Sequence, residues 1–161
     1  MKSSLLKSFK WLKHLLAAPE TNLFIFAFLI HFVYEVWQSP YFEFYGMPTL
    51  ADKINYITHC TIGDGVITVL SSGIISFWQR NRYWMITPTA RLIVIFTSIG
   101  WIYTFISEIY RVRVAQLYGV SVLVVPFVQI SWLPLLQWLI LPPMVLMMTR
   151  RHLLGYRSKI E

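Results

Sequence analysis

Seven polar side chains interrupt the apolar stretches of this chain, and most are of types that move protons: His31, Glu35, His59, Cys60, Asp64, Glu108 and Gln137. In a helix, residues four apart share a face, so His31 joins Glu35 and Cys60 joins Asp64. His59 stands about 100° from Cys60 and points elsewhere. A carboxyl held neutral by burial can donate a proton, and a nearby imidazole can exchange it. His31, Glu35 and Asp64 are therefore the candidate catalytic set. Plainer readings stand beside this one. The His31–Glu35 pair could simply pin helix packing. Glu108 could pair with Arg111 three residues on, and Cys60 could be a small buried hydrophobe. His59, Cys60, Asp64 and Glu108 form a fallback metal set, yet no HExxH and no paired-cysteine motif supports it. No metal and no cofactor is expected. His31 and His59 differ by roughly 10 Å in depth, which argues against a haem held between them.

The elements that must position these groups are membrane helices. Of the 161 residues, 57% are hydrophobic and only 13% charged. A soluble domain carries about 25% charged residues. Mean hydropathy is +0.57. Disorder, a coiled coil and a nucleic-acid module are excluded, and the single cysteine excludes an internal disulfide. Apolar runs lie near 22–37, 55–77, 92–109 and 132–148. Each approaches the roughly 20 residues a helix needs to cross a bilayer. The fold expected is all-α: an integral membrane four-helix bundle over 21–153. An amphipathic interfacial helix over 1–20 precedes it and a basic tail over 154–161 follows. In the first of these, Leu5, Leu6, Phe9, Leu12, Leu15 and Leu16 oppose Lys7, Lys10, Lys13 and His14.

Eleven of the fourteen Lys and Arg lie in the N-terminal segment, the second loop region (Arg80 to Arg91) and the tail, leaving Lys53, Arg111 and Arg113 for the other loops. The positive-inside rule then puts both termini in the cytoplasm. With that orientation His31 lies about 6 Å deeper than Glu35, and Asp64 roughly 7 Å below His59. All seven polar groups fall in the outer half of the membrane, where four helices can gather them into one site. A charged Asp or Lys at the centre of a membrane helix costs about 2.5–3.5 kcal/mol, so ionisable groups within the spans are functional candidates.

The order of motifs resembles the EXPERA superfamily of emopamil-binding, sterol-isomerase-like membrane proteins. Helix 1 reads His31-Phe32-Val33-Tyr34-Glu35 followed by Trp37. Helix 2 reads Cys60-Thr61-Ile62-Gly63-Asp64. Helix 3 reads Trp101-Ile102-Tyr103 and ends at Ser107-Glu108. Helix 4 reads Trp138-Leu139-Ile140-Leu141-Pro142. The resemblance covers about 23–153. The departures are Asp64 in place of Glu, Leu135 where the isomerase has Asn, and a shorter first extramembrane loop. The resemblance implies a pocket for an isoprenoid- or sterol-like lipid, with His31 and Glu35 as proton donors and Asp64 as base or cation stabiliser. Trp37, Trp101, Tyr103, Glu108, Gln137 and Trp138 would line it. Double-bond isomerisation or cyclisation through a carbocation is one reading. A non-catalytic lipid or amphiphilic-amine binding protein is another, and a metal- or proton-handling protein a third. The partner expected is a membrane lipid and not a nucleic acid, and the chain could pair with a second copy. A bacterial inner membrane is favoured over the endoplasmic reticulum.

Overall fold

The computed structural model describes residues 15–120 and 122–157. Most of the interfacial helix expected over 1–20 lies outside the described residues. Four helices follow: α1 (Pro19–Gln38), α2 (Leu50–Gln79), α3 (Ala90–Ile109) and α4 (Trp132–Arg157). All four are long and apolar enough to cross a membrane. The all-α four-helix architecture is as expected, and every helix except α3 overruns its apolar core by several residues at one end or both.

Local chemistry sets the ends. Pro19 opens α1, where its missing N–H would have had no helical partner. At the start of α2, Thr49 Oγ1 accepts from the Asp52 amide at 3.1 Å, and the Thr49 amide donates to Asp52 Oδ2 at 3.1 Å. This reciprocal pair satisfies two otherwise orphaned donors. Thr89 caps α3 and the Ser131 hydroxyl accepts from Leu133 N at the start of α4. A π-helical turn, Tyr110–Val114, carries the path of α3 onward.

One feature was absent from the sequence expectation. The two connections at one end of the bundle pair as a short antiparallel ribbon, β1 (Phe42–Phe44) with β2 (Tyr118–Val120), in the register Phe42 to Val120 and Phe44 to Tyr118. Its inner aromatic rings pack edge-on, Phe42 to Tyr118 at 5.2 Å and Phe44 to Tyr56 at 5.8 Å. A Cβ at Gly119 would meet the Tyr45 hydroxyl, so glycine lets the Tyr45 ring lie against the ribbon. We call this the hairpin end.

The opposite end is sealed by apolar packing. Leu23, Ala27, Ile75, Phe96, Val145 and Leu146 are buried together, with Trp84 and Met85 from the connecting loop closing over them. Trp84 Nε1 donates to Ser72 Oγ at 3.1 Å, and Arg150 Nε donates to Ile86 O at 2.7 Å, tying that loop to α2 and α4. Between this plug and the hairpin lies the layer that holds the ionisable side chains.

Candidate functional site

His31 is fully buried at the middle of α1. Its Nδ1 lies 3.2 Å from Asp64 Oδ2 on α2 and 2.9 Å from Gln137 Nε2 on α4. Gln137 Nε2 also donates to Asp64 Oδ2 at 3.4 Å, and Gln38 Nε2 donates to Gln137 Oε1 at 3.2 Å. Nδ1 can donate to Asp64 only when it carries hydrogen, and can accept from Gln137 only when it does not. The triangle therefore has two hydrogen placements that differ by one proton or by rotation of the Gln137 amide. The Trp138 ring stands 5.1 Å from the imidazole, tilted by 58°.

Glu35 is one turn beyond His31 on the same face of α1. The sequence reading paired these two as donors. The observed partners of His31 are instead Asp64 and Gln137, while Glu35 faces two small cavities nearer the hairpin. The inner cavity, about 20 Å³, is bounded by Glu35, Asp64, Glu108, Gln137, Trp138 and Tyr103. The outer one, about 30 Å³, is bounded by Glu35, Gln38, Tyr56, Cys60, Glu108 and Tyr118, among others. A cavity needs about 10–15 Å³ to take one water, so each has room for water and not for a lipid.

Glu108 is buried near the end of α3. Tyr118 Oη donates to its Oε1 at 2.6 Å, and Arg111 Nη1 lies 3.9 Å from the same oxygen. The Arg111 pair anticipated from spacing is thus the longer contact, and the close one comes from the loop. Tyr118 is itself buried, and burial together with the adjacent Glu108 carboxylate pushes its phenol well above the usual tyrosine value. It remains a hydrogen-bond donor at neutral pH.

Other expected residues go elsewhere. Trp37 is 56% exposed and packs against Tyr34 and Tyr41 on the lipid-facing side of α1. Its position on the helix, two residues past Glu35, turns it away from the cavities. Trp101 stacks on Phe105 at 5.6 Å and is not on either cavity wall. His59 is exposed while Cys60 is buried, so the fallback metal set does not assemble. Among the described residues, no three His, Cys, Asp or Glu side chains come close enough to hold a metal.

Sequence reasoning missed Gln38, Tyr56 and Tyr118 as members of the layer. For Gln38 a signal existed, since it lies three residues after Glu35 and seven after His31, on their face of α1. Tyr118 left none, because a loop residue is brought in only by the ribbon. The chemistry available is proton exchange: three carboxyls, an imidazole bonded to one of them, and one guanidinium, in a water-sized polar space walled by Trp138. No family model, no curated protein and no solved structure matches the chain.

Proposed function

We propose that this multi-pass membrane protein holds an intramembrane acid/base site for an isoprenoid- or sterol-like lipid, with the hairpin end facing outward and both termini in the cytoplasm. The observation that carries the reading is the meeting of Glu35, Asp64 and Glu108 from three different helices on one small cavity beside His31 and Trp138. Helix packing alone would be served by neutral side chains without the cost of ionisable ones. The resemblance to the EXPERA superfamily supports the same assignment.

In the catalytic form, protonated Glu35 gives its hydrogen to a C=C carbon and the double bond's electron pair takes it up. The resulting carbocation is held by the Trp138 π face, worth about 2 kcal/mol or more when desolvated, and by the Asp64 carboxylate. Asp64, which lines the same cavity, then removes a proton from the carbon on the far side of the cationic centre and passes it to His31, and a shifted double bond forms. The His31–Asp64 bond fixes the imidazole and stabilises its charged form, as a carboxylate does in other acid/base pairs. Because the cavity is water-sized, a lipid enters only as helices part, and half-exposed Tyr103 of α3 joins the inner cavity to the outside of the bundle.

Mass spectrometry of lipids that co-purify from the source membrane tests this. One isoprenoid-type lipid should be enriched with the native chain and lost with Glu35→Gln, which keeps the shape and removes the ionisable group. Retention of the same lipid at the same level would remove the acid/base reading. Binding without double-bond migration in the bound lipid would favour the non-catalytic lipid-binding reading instead.

A further inference from the structure

The two cavities are neighbours, since Glu35, Glu108, Arg111 and Pro134 line both. The outer one reaches the ribbon that roofs the bundle, through Phe42, Phe44 and Tyr118. The inner one reaches Asp64, which is bonded to His31. Two acceptors along this line are buried and have no partner among the described residues: Gln38 Oε1 and Glu108 Oε2. Their residues are each 3% exposed. A buried acceptor without a donor costs about 1–3 kcal/mol, so oxygens at a polar space of this size are built to receive hydrogens from water.

On the other side of the layer the arrangement changes. Ala27 and Leu23 lie below His31 on α1, and Ile75, Phe96, Val145 and Leu146 meet them from the other helices. Thr68 spends its hydroxyl hydrogen on a carbonyl of its own helix, Asp64 O. Ser71, Thr97 and Thr149 hold unpartnered hydroxyls in that half.

We propose that the site exchanges its protons with solvent at the hairpin end alone, through the two water-sized cavities, and is closed to the opposite end by the apolar plug. The inference rests on the acid/base reading above and deepens it. Each cycle would draw and return its proton from one side of the membrane, and no proton would cross. The titratable and charged groups around Glu35 are His31 and Tyr34 on α1, Tyr56, Cys60 and Asp64 on α2, Glu108 and Arg111 beyond it, and Tyr118 of β2. From α4 comes only the neutral Gln137.

The test uses the full chain in lipid vesicles, its orientation read from protease cleavage in the Arg80–Arg82 loop, with pH set separately inside and outside. A hydrophobic carbodiimide adds to carboxyls only when they are protonated, and peptide mass spectrometry locates the adduct. Modification of Glu35 should fall several-fold when the hairpin side is made alkaline and stay unchanged when the other side is. Cys60→Leu, which fills the outer cavity, should suppress the fall. Modification that follows the plug side, both sides equally, or neither, overturns the proposal on the native chain whether or not the variant folds. The readout needs no bound lipid. Loss of sidedness therefore overturns the route alone, and an unchanged lipid complement in Glu35→Gln overturns the acid/base reading alone.

Discussion

Tyr118 shows how a single side chain can hold the layer together. Its phenol is the close donor to the buried Glu108, at 2.6 Å, and no helix supplies it. Tyr118→Phe keeps the ring and its packing against Phe42 and Tyr56 but leaves a buried carboxyl oxygen without its donor. The expected cost is about 1–3 kcal/mol, seen as a lower unfolding midpoint in detergent. The pH dependence has a definite sign. Folding raises the phenol's value above its unfolded value of about 10. The folded chain therefore binds the extra proton, and the stabilisation is complete below that pH and lost as pH rises above it. Native protein should lose stability on the alkaline side, and Tyr118→Phe should lose less there. Equal alkaline slopes for the two would show that Tyr118 is not the group responsible.

At the scale of elements, the contact between α3 and α4 is made by a glycine. Gly100 is buried where a Cβ would overlap the Trp138 ring. Trp138 in turn touches the His31 ring, so the approach of these two helices sets the wall of the inner cavity. Gly100→Ala should cost about 1–3 kcal/mol through overpacking. It should also shift tryptophan fluorescence and weaken retention of any co-purifying lipid. An alanine variant with native stability and native fluorescence would mean that the helices are not in this close contact. The fork between Arg82 and Glu20, with both contacts at 2.6 Å, invites a larger claim than it supports. Both side chains are more than a third exposed, and exposed ion pairs contribute about 0–1 kcal/mol. Glu20→Gln should accordingly change the unfolding midpoint little.

For the whole molecule, the helices alternate direction, and the pairing of β1 with β2 puts both of their loops at one end. With the Lys/Arg distribution this predicts that reporter fusions after Arg82 read cytoplasmic and fusions near Gly46 and Gly119 read external. A cytoplasmic reading at Gly119 would reverse the side on which the polar layer opens. The number and placement of the helices were legible in the residues alone. A helix in lipid satisfies its own backbone hydrogen bonds, so a sufficiently long apolar run is enough to specify it. The polar layer's existence was legible too, because depth along a helix is set by residue number. Which groups meet within that layer was decided by tertiary structure. His31 bonds Asp64 rather than Glu35, Tyr118 reaches Glu108, and Trp37, Trp101 and His59 turn away from the cavities. These outcomes depend on the rotation of each helix about its axis. Helices apolar around most of their circumference carry little sequence signal for that rotation. Close packing at Gly100 and the register of the ribbon, both joining residues far apart in the chain, supply what the local sequence leaves open.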